Sequence, residues 1–410
     1  MKNIILNEQY NSAKFLFDKA KGDQIFLKKK TFIDLSFCSG AVFLGHNHPI
    51  FKKSVKEYIN KNFSIFSNPN SKAVELAKTI KFFFPKFDKI IFCNTGSESA
   101  IKALRISRAT NKKKMTVIVA GSWHGSTDQT LFFPKNNFSP KPISAGLKET
   151  DRKNVIFIPY NDIKKSKKIL DKKRKNVNCI IIEPIMGCLP NDCSKPYLKF
   201  LEKYCKKHKI NFIFDEIITG FRTKKGSVQN KYKIDPDITL IGKVLGGGLP
   251  IGAIGISKKI YLKIKKSKMK VFFGGTFSAN TFSTFIGNKV ILYIKNNLHL
   301  INKLIVDCEY FQKTVNNYIL KENLNARVYR FDSILRIVFS KQKVNNRIQR
   351  DFLEKRKIKS KLKFKKFLIK KNIYFPPNGI ILLSLMTSKK NLNYTINTIC
   401  EGLKKYCKNN

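Results

Sequence analysis

From Lys89 onward, short apolar runs alternate with longer stretches of mixed character. The runs KIIFC (89–93), TVIVA (116–120), VIFIPY (155–160), CIIIEP (179–184) and NFIFDE (211–216) are rich in branched and aromatic residues and too short for helices. Near-continuous apolar strands separated by helical segments predict a parallel or mixed sheet covered on both faces. Ligands of such sheets collect at the strands' carboxyl ends. The last third changes character. From about Leu292 come long Lys-rich helical stretches, then ILRIVFS (334–340) and GIILLSLM (379–386), which predict strands. A smaller α+β domain from the carboxyl-terminal part is therefore expected, joined by the amino-terminal segment. The expected division is 1–45 for that segment, 46–285 for a large domain and 286–410 for the small one. Residues 131–154, with Pro134, Pro140 and Pro142, predict a long loop, and loops of that length are often lids.

Composition narrows the classes. With 410 residues, 42% of them hydrophobic and 12% aromatic, the chain can bury a sizeable core. No run of about 18 uncharged apolar residues occurs, so no membrane span is predicted. The start, MKNIILNEQYNSAKF, lacks the apolar core and cleavage site of a signal peptide, and a cytoplasmic protein is expected. The net charge of +54 admits a polyanion-binding surface or a compositional bias. Lys far outnumbers Arg and is spread throughout, with no arginine-rich arm, zinc-finger spacing or RNA-binding signature. That favours bias over nucleic-acid binding, though the charge would still draw in anionic substrates. The nine cysteines form no C-x-x-C pair, so reduced thiols and no metal site are expected.

Four stretches carry candidate chemistry. INFIFDEIITGFR (210–222) ends a buried strand with two acids, Asp215 and Glu216. FCNTGSESAIKALRISRA (92–109) closes a strand at Asn94, Thr95 and Gly96 and opens a helix near Ser97-Glu98-Ser99. That turn is a phosphate cradle or an ordinary capped junction, and the dinucleotide spacing G-x-G-x-x-G is missing. AGSWHGSTD (120–128) holds the only Trp, Trp123, which either stacks on a flat ring or anchors the core. His124 beside it is a hydrogen-bonding support or structural, without companions for a metal. PDITLIGKVLGGGLPIGAIG (236–255) places Lys243 between an apolar run and glycines. Desolvated there, it would be an imine-forming nucleophile; otherwise it is a surface lysine. Asp215 can hold a pyridine nitrogen protonated by a charge-assisted hydrogen bond. Pyridoxal phosphate needs such a partner together with a lysine and a phosphate site. Glu216 is then expected to bond to backbone or solvent. Arg222 is adjacent in sequence, with an exposed loop position equally open.

The ordered motifs NTGSESA, SWHG, EPIMG, FDEIITGFR, GKVLGGGLPIG and GGTFSAN resemble the class III pyridoxal-phosphate aminotransferases, nearest the glutamate-1-semialdehyde aminomutase-like branch. The resemblance implies a fold-type-I α/β homodimer, with a mostly parallel seven-stranded sheet in the large domain and a small α+β domain. It implies that Gly96 and Ser97 hold the phosphate of pyridoxal 5'-phosphate. Trp123 would stack on one ring face, Ile217 on the other, Asp215 would pair with the ring nitrogen, and Lys243 would bond the cofactor covalently. Thr276 would reach the phosphate of the neighbouring subunit. The aminomutase branch carries a Gly-Gly-x-Ser stretch near its start that nothing in residues 1–21 matches, and PPNGIILL lacks its acidic loop. FCSGA (37–41) stands where the branch has GSWGP. An aminotransferase using glutamate and an aldehyde or keto acceptor is therefore expected, with the aminomutase as alternative. A polyanion-binding protein on an enzyme scaffold is a third reading, opposed by the intact Lys243 and Asp215.

Overall fold

A computed structural model describes residues 15–63 and 68–408; residues 1–14 of the expected amino-terminal segment lie outside it. Seven strands form the central sheet in the order Lys89–Cys93, Gly252–Ile256, Ile238–Gly242, Asn211–Asp215, Val177–Ile182, Met115–Val119 and Val155–Ile158. Only Gly252–Ile256 runs against its neighbours. Every residue of the four strands starting at Val177, Asn211, Ile238 and Gly252 is buried, as continuous apolar runs require. The two-residue period divides them between faces. Phe212 and Phe214 join Ile180 and Ile182 in one cluster with Leu198 and Leu201 of the helix Lys195–His208. Ile213, Ile181 and Leu240 turn the other way, toward Leu104 and Ile106 of the helix Gly96–Asn111. Each such side chain contributes about 1.5–3 kcal/mol by leaving water.

The strand Gly252–Ile256 begins where the glycine-rich stretch after Lys243 ends. Its glycines are packing requirements. A Cβ at Gly255 would fall 2.1 Å from the Phe87 ring, and one at Gly252 would fall 2.5 Å from the Thr95 carbonyl oxygen. Residues 131–154 depart from the loop expectation. Phe132–Pro134 pairs with Pro140–Pro142 in a hairpin, and Glu149–Lys153 is a short helix. Two strands alone have only edges, where proline is tolerated, so these prolines do not forbid pairing.

The rest of the molecule forms a smaller α+β part. Arg327–Phe331, Ile334–Val338 and Ile380–Leu382 make an antiparallel sheet beside the helices Leu298–Lys321 and Lys389–Tyr406. The strands Lys19–Lys21, Gln24–Leu27 and Lys30–Asp34 complete a four-stranded sheet with Ile373–Tyr374, whose Ile373 pairs with Ile33. One apolar cluster runs from Phe84 and Leu245 to Phe311 and Leu403, so the parts share a core. No described helix is long and apolar enough to cross a membrane.

Candidate active site

Neighbouring parallel strands deliver their last residues to one edge of the sheet. Asp215 closes Asn211–Asp215, Lys243 follows Ile238–Gly242 beside it, and Glu183 follows Val177–Ile182 on the other side. The registers that pair Asp215 with Leu240 and Phe214 with Ile182 fix this alignment. The turn after Met115–Val119 adds Trp123. Together they line a cleft of about 330 Å³ with Gly96, Ser97 and Ile217. Six of the seven candidate residues therefore meet in one place. Thr276 is not among the lining residues; it lies on an exposed stretch ahead of the helix Thr281–Asn296.

Asp215 is buried, and both its oxygens are engaged. Oδ1 accepts from the Ile217 N–H at 3.1 Å, and Oδ2 lies 2.8 Å from His124 Nδ1. With the proton on Nδ1, His124 donates to the carboxylate and fixes its orientation; its Nε2 has no partner among the described residues. Lys243 turns out of its strand at φ 47°, in the left-handed region disfavoured for a side-chain residue. Burial lowers its pKa to about 8, against the pull of Glu183 and Asp215, with nearby Arg222 adding to the decrease. Arg222 is fully enclosed rather than on an exposed loop. Its Nη2 donates to the Gly40 carbonyl at 2.6 Å and its guanidinium stacks on Phe43, while Nε and Nη1 lack partners among the described residues.

The other acids divide in role. Glu216 accepts from the N–H groups of Val228 and Gln229 and from the Thr219 hydroxyl, so it caps the helix Val228–Tyr232. Glu183 accepts from the N–H groups of Trp123 at 2.7 Å and Gly187 at 3.2 Å, and burial raises its pKa. The sequence reading passed over Glu183 as a site residue, although it ends a buried strand as Asp215 does. Trp123 is 52% exposed with its backbone held by Glu183, so it forms an open wall instead of a core anchor.

The cradle lies at the start of the helix Gly96–Asn111, N-capped by Thr95, whose side chain accepts from the Glu98 N–H. A Cβ at Gly96 would strike Ile217 Cδ1 at 2.6 Å, and one at Gly125, with φ 80°, would strike Ser97 Oγ at 2.4 Å. Glu98 would repel an anion there, but it is turned back onto the Asn94 N–H and Lys102. The helix start thus keeps its positive end and its open N–H groups.

A model of the family described as Aminotransferase class-III matches residues 5–355. The chain belongs to the class III aminotransferases. It is 30% identical over 400 residues to a glutamate-1-semialdehyde 2,1-aminomutase of Thermodesulfovibrio yellowstonii, covering 94% of this chain and 91% of the relative. The protein of that name from Wigglesworthia glossinidia brevipalpis is 32% identical, with 97% of both chains covered. Among solved structures, an omega-transaminase from Sphaerobacter thermophilus superposes with TM-score 0.84 at 20% identity, covering 94% of this chain and 90% of its own. A glutamate-1-semialdehyde-aminomutase from Pseudomonas aeruginosa gives TM-score 0.86 at 15% identity, covering 96% and 88%. As a class III aminotransferase, the chain is a pyridoxal-phosphate enzyme of fold type I. The cleft fits that cofactor: a cradle that side chains cannot fill, a buried carboxylate, a desolvated amine and an exposed indole face.

Proposed function

We propose that this enzyme moves an amino group from glutamate to an aldehyde or keto acceptor, and that it works in the cytoplasm as a homodimer. The observation that carries the reading is the placement of Lys243 and Asp215 at the carboxyl ends of adjacent parallel strands, in one cleft with the cradle. Pyridoxal phosphate, when bound, supplies the electron sink for carbanion chemistry at the substrate carbon. In this reading Gly96 and Ser97 hold its phosphate, and Trp123 and Ile217 flank its ring. Asp215, fixed by His124, keeps the pyridine nitrogen protonated. Lys243 would hold the cofactor through its amine, and its Nζ would take up the proton that leaves the substrate's reacting carbon. Its low pKa supports that role, because a neutral amine is the base. Thr276 of each chain completes the neighbour's phosphate site.

Aminomutation uses the same cofactor residues and is the second reading, favoured by relatives of that name at 30% identity and above. Cofactor-loaded protein with a visible band at about 400–430 nm should lose it on adding glutamate and release 2-oxoglutarate. Conversion of glutamate 1-semialdehyde into its isomer with the amine on carbon 1, without release of 2-oxoglutarate, would select the aminomutase. A chain that forms no band and reacts with neither compound would refute both readings.

A further inference from the structure

A second cleft, of about 390 Å³, adjoins the first and shares Trp123, Glu183, Ile218 and Lys243 with it. Its remaining wall carries three arginines, Arg336, Arg347 and Arg350. Arg336, on the strand Ile334–Val338, is only 5% exposed. Its Nη1 donates to the Asn378 carbonyl and its Nη2 faces Glu354 at 3.8 Å, but Nε has no partner among the described residues. Arg347 opens the helix Arg347–Lys355, pairs with Asp351 at 3.2 Å and lies over the Phe133 ring of the hairpin. Arg350 donates to the Cys188 carbonyl and to Asp351, and faces Glu354 at 3.8 Å.

Charge is out of balance here. Lys361 also takes Glu354, at 2.7 Å, so four cations share two carboxylates in this cluster. Glu183, at the Lys243 end, already has its oxygens on backbone N–H groups. Burial and the neighbouring Arg350 lower the pKa of Arg336 to about 10, which leaves it charged at neutral pH. A buried guanidinium with an unused donor is costly unless an anion meets it.

We propose that this cleft receives the tail of the substrate, and that the tail carries two negative charges, as a phosphate monoester or a dicarboxylate does. The inference rests on the proposed aminotransferase reading, because Lys243 is where the two clefts join. A single carboxylate would leave one positive charge of the cluster uncompensated. Guanidinium forks bind phosphate and carboxylate with paired hydrogen bonds, which lysines cannot reproduce. The volume, roughly that of 13 water molecules, suits a small metabolite.

The test uses cofactor-loaded protein, whose cradle is filled, and calorimetric titration with glycerol 2-phosphate, malonate and propionate. Titration at about 0.3 M salt suppresses loose binding to the basic surface. One dianion per chain should bind at least tenfold more tightly than propionate, and whether glycerol 2-phosphate or malonate leads identifies the tail. Arg336→Gln and Arg347→Gln should each weaken the dianion about tenfold while the visible band persists. Arg347 is half-buried at the rim and keeps the test decisive should Arg336→Gln misfold. Propionate binding as tightly as the dianions, or both variants binding like the parent, overturns the inference while the band leaves the proposed function standing. A chain that never develops the band overturns the proposed function and this inference with it.

Discussion

Lys243 combines two unfavourable states, a left-handed backbone at φ 47° and an amine whose pKa burial lowers to about 8. Residues held this way persist where the surroundings over-determine them, as at active sites. The pH consequence has a definite sign. Between about 8 and the ordinary 10.5 the unfolded chain binds the extra proton, so the cofactor-free protein gains stability as pH rises through that window. Below about 8 the full cost of burying the charge is in force. Lys243→Met should therefore be more stable than the parent at pH 7, with the difference shrinking toward pH 10.5; urea midpoints at both pH values check it. Covalent loading should likewise quicken through pH 8, followed by the visible band. Asp215→Asn keeps the shape beside His124 but removes the charge. Turnover should fall about a hundredfold or more, the scale of a lost electrostatic partner, with cofactor still bound. Near-normal turnover would leave Asp215 a structural strand end.

Elements differ in how far the sequence announces them. The strands Lys89–Cys93, Val177–Ile182 and Asn211–Asp215 are dense in branched and aromatic residues, and the exits of the first and last carry the turn and the acids legible in the sequence. Gly252–Ile256 was hidden because its glycines answer to neighbours far along the chain, Phe87 and Thr95. Gly255→Ala should lower stability by about 3 kcal/mol or prevent folding, since the Phe87 ring is a rigid obstacle; denaturation of purified protein tests it. Glu216 shows the opposite limit. Its position beside Asp215 is legible, but its partners Val228 and Gln229 come from a later helix that only the fold brings near. Glu216→Gln replaces one acceptor oxygen with an NH2 group that cannot accept, so either the Val228 or the Gln229 N–H loses its partner. It should cost about 1–3 kcal/mol of stability and leave the visible band unchanged, which separates a capping acid from a cofactor ligand. Glu183 and the arginines escaped the sequence reading for a related reason: their meaning depends on which walls meet.

At the scale of the whole molecule, the net charge of +54 opposes self-association, yet its reach is only about 8 Å at physiological salt. Sizing with light scattering should find a homodimer at physiological salt that weakens as salt is removed. If Thr276 serves the neighbouring site, mixing Lys243→Ala chains with Thr276→Ala chains should restore activity, since the heterodimer then holds one intact site. A fully active monomer would defeat this assembly. The sheet that joins Lys30–Asp34 to Ile373–Tyr374 has a consequence in time. Ile33 and its partner Ile373 are 340 positions apart, by subtraction of their numbers. At about 5–20 residues per second, a ribosome needs roughly 17–70 s to make the second after the first. Throughout that interval the early strand waits with an unpaired edge, longer than most folding steps last. Synthesis, more than refolding, is thus the stage at which this chain most needs a chaperone, and slowing translation should lengthen its hold on one.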